Sequence, residues 1–233
     1  MTHGVWLEHL TWPEAARHFA TGAIVVVPVN PRSKEHGHHL RMSAAPVIDF
    51  GYYPAFLRHP GSQHLRAESF SALVRDVLDG FIAQGVRRLA IVNTGVSIVP
   101  PLRIFARDLY KRCKLRVPIA DIELLGPAAR ERPSRQRLGG QADQFETATM
   151  LAIAPDIVHM EQECADYGMF QPATVFYVPT EFSGDPDSGP DHSATGTRGD
   201  PSQACAEDGE ALLAEMAEEV VAGLRALFPD APA

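Results

Sequence analysis

The stretch AESFSALVRDVLDGFIAQGVRRLAIVNTG, residues 67–95, decides the fold. Phe70, Leu73, Val74, Val77, Leu78, Phe81 and Ile82 recur at intervals of three and four, the period of a helix with one apolar face. Gly85 closes that helix, because glycine enters the left-handed conformation of a helix end without steric cost. Leu89-Ala90-Ile91-Val92 is then an unbroken apolar run, as a strand covered on both faces requires, and Asn93-Thr94-Gly95 ends it.

The same alternation extends in both directions. Upstream, Thr11-Trp12-Pro13-Glu14 has the form of a capping box, opening a short helix to about Ala20 that Gly22 ends. Ala23 to Val29 reads as a first buried strand, and Asn30-Pro31-Arg32-Ser33 turns out of it. Downstream, the pattern predicts a helix over 101–112, a third strand from Val117 to Leu124, and a loop over 126–140. A further helix runs from about Asp143 to Ile153, stopped before Pro155. Residues 179–204 are a long polar stretch, either an ordered substrate loop or a flexible lid. The last helix, about 206–228, carries Leu212, Leu213, Met216, Val220, Val221, Leu224 and Leu227 on one face. Strands alternating with helices imply an α/β fold: a mostly parallel sheet with helices on both faces, in one domain over 1–233.

Composition narrows the class. With 233 residues, 45% of them hydrophobic, the chain can bury a full core. Cys113, Cys164 and Cys205 are odd in number and far apart, which suggests a reducing compartment and no disulfide framework. A net charge of −8 with scattered basic residues argues against nucleic acid as a partner. No run approaches a membrane span and the N-terminus lacks a secretory pattern, so the chain reads as soluble and cytoplasmic. No G-x-S-x-G or glycine-rich nucleotide loop occurs, and no cysteine sits in a motif.

In parallel sheets, ligands bind beyond the carboxyl ends of the strands. Two polar segments stand there: Asn93-Thr94-Gly95 and Lys34-Glu35-His36-Gly37-His38-His39-Leu40. Three imidazoles and a carboxylate within five residues are the groups that metal binding or acid–base chemistry uses. Tyr52 and Tyr53 read as packing residues near a pocket mouth, and His59 and His64 as surface or interface residues.

Five segments in order resemble the creatininase (creatinine amidohydrolase) family. They are Trp12-Pro13-Glu14; Glu35-His36-Gly37-His38-His39-Leu40, similar to E-H-G-x-H-L; Asn93-Thr94-Gly95, where many members carry N-G-H-G-G-N; Gly139-Gly140-Gln141-Ala142-Asp143-Gln144-Phe145-Glu146-Thr147, similar to G-x-H-A-G-x-x-E-T-S; and Ser193-Ala194-Thr195-Gly196 with Gly199-Asp200-Pro201. The resemblance implies an α/β/α sandwich assembled as a homo-hexamer or related oligomer. It also implies a zinc or manganese site acting on an amide or cyclic amide of a small molecule.

The chain departs from that pattern at the ligands. Ala45 stands where the family has a metal-binding Asp, Gly95 and Ser97 replace a His and an acidic residue, and Gln141 replaces a His. Arg41 replaces a Pro and brings a permanent cation, while Asp49 is a possible substitute for the Asp missing at 45. Glu35, His36, His39 and Glu146 survive, His38 is an addition, and Asp143 lies one helical turn from Glu146.

The expected catalytic residues are therefore Glu35, His36 and Glu146. Arg41, His39, Asn93, Thr94, Gln141, Ser193 and Thr195 are the expected substrate contacts. Glu35, His36 and His38 are the candidates for one divalent metal, zinc or manganese, with a metal-free site as the other possibility. Three readings stay open: an amidohydrolase with a reduced metal site, serving specialised biosynthesis; a metal-free acid–base enzyme for cyclisation, dehydration or isomerisation; and a catalytically silent paralogue that binds a small molecule or serves as a scaffold.

Overall fold

A computed structural model describes residues 5–29, 43–131, 134–168 and 183–231. The cluster from Glu35 to Arg41 lies outside the described residues, so no placement is assigned to Glu35, His36, His38, His39 or Arg41.

Four parallel strands form the sheet: β1 Val25–Val29, β2 Ser43–Ala44, β3 Leu89–Asn93 and β4 Ile119–Asp121, in the order β2-β1-β3-β4. Val29 pairs with Asn93 and Asn93 with Asp121, so the carboxyl ends of β1, β3 and β4 are flush. The chain therefore leaves all three at the same edge.

Side chains alternate across the pleat and build a core on each face. Val25, Val27, Val29, Leu89 and Ile91 pack with Phe70, Val74 and Leu78 of α2 (Ala67–Ala83) and with Leu102, Phe105 and Leu109 of α3 (Val99–Cys113). Val26 and Ala90 face the other way, against Val220 and Leu224 of α6 (Ala206–Leu227). The result is the three-layer α/β/α arrangement that the alternating pattern implies, since neither sheet face can be left to water.

The local start and stop signals operate as written. In α1 (Trp12–Ala20) the Glu14 carboxylate accepts from both the backbone N–H and the hydroxyl of Thr11, at 2.7 and 2.6 Å. Gly85 follows α2 with φ +89°, the left-handed geometry that ends a helix. Asp143 caps α5 (Gln144–Ile153), its carboxylate accepting from the backbone N–H of Phe145 and Glu146.

Two expectations need correction. The third strand does not run from Val117 to Leu124; it is β4 alone, followed by a single 3-10 turn over Ile122–Leu124. The Asp121 side chain accepts from the backbone N–H of Glu123, and that short local bond turns the chain out of the sheet. The 126–140 segment is not all loop, since it opens with a short helix, α4 (Pro127–Glu131). Its unsatisfied amides are covered from elsewhere: Glu219 of α6 accepts from Gly126, and Glu215 of α6 accepts from Ala128 and Ala129. Capping by carboxylates from a distant helix leaves no trace in the local sequence.

Candidate functional site

At the edge where the strands end, a cavity of about 380 Å³ opens. Thr94 follows β3 into it, and Ile122 and Glu123 follow β4. Arg130 of α4, the 136–140 segment, Asp143, Phe145, Glu146 and Thr149 complete one side, and Leu212 and Met216 of α6 also line it. The size falls within the range of small-molecule pockets, and the lining is rich in polar and charged side chains, with Ile122, Leu138, Phe145, Leu212 and Met216 as its apolar part.

Glu146 reaches the cavity from the first turn of α5. Its carboxylate accepts from the backbone N–H of Ala142 at 2.6 Å. Ala142 has φ +46°, a conformation that a residue with a Cβ adopts at a cost, so the turn before α5 stores strain beside this carboxylate. Asp143, the carboxylate one helical turn from Glu146, works as the helix cap. It is buried, and its other oxygen accepts from the Gln136 side chain at 2.9 Å. Gln136 also accepts from the backbone N–H of Gln144 and of Asp200. One amide side chain thus ties the cap and the first residue of α5 to the late glycine-rich segment.

Glycine is required where this loop closes. A Cβ at Gly139 would stand 2.1 Å from the Asp143 carboxylate, and one at Gly199 would stand 2.5 Å from the Asp143 Cβ. The glycines of both segments therefore allow the backbone to close tightly around Asp143 and Gln136.

Glu123 is a cavity carboxylate that the sequence reading missed. Burial raises its pKa, with the negative charges of Asp121 and Asp143 acting in the same direction and the Arg130 guanidinium opposing them. A carboxyl group that holds its proton longer, sharing a cavity with a second carboxylate, is the raw material of acid–base catalysis. The available signal was Asp121-Ile122-Glu123 directly after a strand, an acidic pair where the chain turns.

The expected substrate contacts separate into groups. Thr94 lines the cavity. Asn93 is fully buried: its amide donates to the Gly95 carbonyl at 3.0 Å, and its Oδ1 accepts from the Gly95 N–H. It shapes the turn that delivers Thr94. Gln141 exchanges two backbone hydrogen bonds with Arg198, which fastens the late segment alongside α5. Ser193 is buried, its one hydroxyl proton lies within reach of both the Asp166 carboxylate and the Thr197 carbonyl, and its oxygen accepts from the Gly196 N–H. Thr195 accepts from the Thr197 N–H. The described part of the long polar stretch is therefore hydrogen-bonded to itself and, outside it, to Asp166, Gln141 and Gln136.

Ala45 is buried, packs in the core with β1 and α2, and donates its N–H to the Val26 carbonyl. Asp49 follows Ile48, whose bridge to Val29 carries it past the end of β1. His64 accepts from the Tyr53 N–H at 2.9 Å, and Tyr53 is buried in the core. His59 packs against Phe56. Both histidines are half-buried loop-packing residues rather than surface ones. Among the described residues no three His, Cys, Asp or Glu side chains gather as a metal site.

Comparison with known proteins agrees with this geometry. The sequence model described as creatininase (creatinine amidohydrolase) matches residues 8–224. A creatinine amidohydrolase of Pseudomonas putida is 24% identical, over 98% of this chain and 99% of that protein. A manganese form of creatininase superposes with a TM-score of 0.76 at 24% identity, covering 97% of this chain and 99% of the other. A structure described as a putative creatinine amidohydrolase from Bacteroides fragilis gives 0.69 at 19% identity, over 96% of each chain. At these identities the structural likeness speaks for the fold.

Proposed function

We propose that this chain, which belongs to the creatininase family, is an enzyme acting on the C–N bond of a small amide or cyclic amide. The observation that carries the reading is the meeting of Glu146 and Glu123 in one cavity at the flush strand ends. The Pseudomonas putida relative and the superposed structures are named for creatinine amidohydrolysis, which supports the same bond type here.

In this reading Glu146 accepts and returns a proton at the scissile amide, and Glu123 is the second proton-holding group. Thr94 offers a hydroxyl to the substrate from the turn that Asn93 shapes. Glu35 and His36 join them from the segment after β1, and Arg41, His39, Gln141, Ser193 and Thr195 form the rest of the substrate surround. The described residues alone do not supply a metal-binding set, so a divalent metal, zinc or manganese, would depend on Glu35, His36 and His38. Solved family structures described as manganese and Zn-Zn forms support a divalent ion of this kind. We further place the protein in the cytoplasm as a single-domain homo-oligomer, a hexamer or related assembly, serving specialised biosynthesis. Three cysteines with no disulfide between them favour the reducing compartment.

The test is turnover of creatinine and a panel of small cyclic amides, followed by NMR, with wild-type protein and Glu146→Gln. General acid–base catalysis predicts a loss of about 100-fold or more in the variant. Turnover at the wild-type rate would remove Glu146 from the chemistry. Metal content of untagged protein, before and after His36→Ala, tests the metal assignment separately. An ion that remains at full occupancy in the variant excludes His36 as a ligand.

A metal-free acid–base reaction on the same scaffold is a second reading, and the pair of carboxylates that line the cavity, Glu123 and Glu146, supports it. Turnover that survives prolonged treatment with a chelator would support it over the first.

A further inference from the structure

Two guanidinium groups line the cavity, Arg130 and Arg137, and acid–base chemistry at an amide explains neither. Arg137 lies over the Tyr167 ring, 4.7 Å from its centroid, whereas Arg130 is held by main chain as well. The Arg130 Nε donates to the Leu125 carbonyl and its Nη2 to the Ile122 carbonyl, each at 3.2 Å. The guanidinium lies over the Phe145 ring, 5.5 Å from its centroid. The backbone beneath it is fixed as well, because Glu215 and Glu219 of α6 hold the amides at the start of α4. Arg130 is thus a preorganised fork, aimed by main chain and an aromatic face.

Those contacts leave Nη1 without an acceptor among the described residues. The acidic side chains of the cavity do not take it. Asp143 accepts from two backbone amides and Gln136, and Glu146 from Ala142. Glu123 feels the guanidinium at a distance but forms no ion pair with it. A held guanidinium with unused donors, facing a small-molecule cavity, has the geometry that receives a planar anion. The three acidic side chains around it favour a singly charged guest over a doubly charged phosphate.

We infer that Arg130 anchors a carboxylate, so that the substrate of this cavity is a small amide or cyclic amide that also bears an anionic carboxylate. The inference rests on the proposed function only in taking this cavity as the substrate's. It distinguishes this chain's ligand from creatinine, which has the cyclic amide and no carboxylate.

A matched pair of ligands tests it: 2-pyrrolidinone, a plain lactam, and 5-oxoproline, the same ring carrying a carboxylate. Both are titrated by ligand-observed NMR into the full chain carrying Glu146→Gln, so that the readout is binding and not turnover. The expected result is a preference for 5-oxoproline of about tenfold or more. In the Arg130→Gln background that preference disappears while 2-pyrrolidinone binds as before. Arg130→Lys, which keeps the charge and loses the fork, retains only part of it and serves if the Gln variant does not fold. Equal affinity for the pair overturns the inference, as does a preference that survives Arg130→Gln. Absence of binding by both up to about 10 mM, below the affinity any anchored ligand needs, also overturns it. Hydrolysis of no amide together with a clear Arg130-dependent preference would sink the proposed function and leave the anchor standing.

Discussion

The carboxylate of Asp143 accepts the backbone N–H of Glu146 at 3.0 Å. The residue one turn from the proposed proton carrier is therefore its support, and the two acids have different work. Asp143→Ala should lower stability by about 1 kcal/mol through loss of the cap, and more if the Gln136 amide is left without its partner. Asp143→Asn or Asp143→Ser should retain most of the stability. Chemical denaturation of the three variants reads this directly, and equal stability of wild type and Asp143→Ala would refute the capping role.

Glu123 sets a pH dependence whose sign follows from its raised pKa. Folded protein holds the proton more tightly than unfolded chain, so the contribution of Glu123 to stability is fully present below the ordinary carboxylate value of 4.5 and is lost as pH rises through the raised folded value. Glu123→Gln removes that titration. Denaturation midpoints measured across the acidic range should show the variant gaining on wild type as pH rises above 4.5. An unchanged difference between the two proteins at every pH would remove the raised pKa.

Ser193 is 1% exposed, and its one hydroxyl meets Asp166, the Thr197 carbonyl and the Gly196 N–H. Ser193→Ala takes the acceptor from the Gly196 N–H, while Asp166 keeps Gly168 and Arg198 and the Thr197 carbonyl keeps Arg198, and should cost about 1–3 kcal/mol. If Ser193 instead contacts substrate, the variant loses affinity with little change in stability. Thermal unfolding beside ligand titration separates the outcomes.

Much of this fold is local in origin and therefore legible in the chain. The Thr11–Glu14 cap, the apolar stripe of α2 and the buried run of β3 each rest on bonds or periodicities within a few residues. So does the cap of α5, and with it the place of Glu146 in its first turn. What the sequence does not show depends on distant partners. Helix α4 owes its amide partners to Glu215 and Glu219, which lie 86 to 93 positions away. Ser193 and Asp166 are joined across 27 positions. Arg130 and Glu123 enter the cavity only because Asp121 turns the chain early and α4 docks on α6. Neither event has a periodicity to read.

Gly209 tests the packing behind the cavity. A Cβ there would lie 2.0 Å from the Ala148 carbonyl oxygen on α5. Helix α6 can cross α5 this closely only with a hydrogen in that place. Gly209→Ala should force the helices apart and cost about 1–3 kcal/mol, in spite of the better helix propensity of alanine. A variant as stable as wild type in urea would show that the crossing yields easily.

Helix α6 meets α5 at Gly209, caps α4 through Glu215 and Glu219, and lends Leu212 and Met216 to the cavity lining. The acid on α5 and the guanidinium on α4 are thus mounted on a common rod. Their separation is set by where each helix packs on that rod. If Arg130 anchors the substrate as inferred, that mounting makes the cavity a gauge: the amide and anionic ends of a ligand must stand one set distance apart, and a longer or shorter homologue would satisfy one end only.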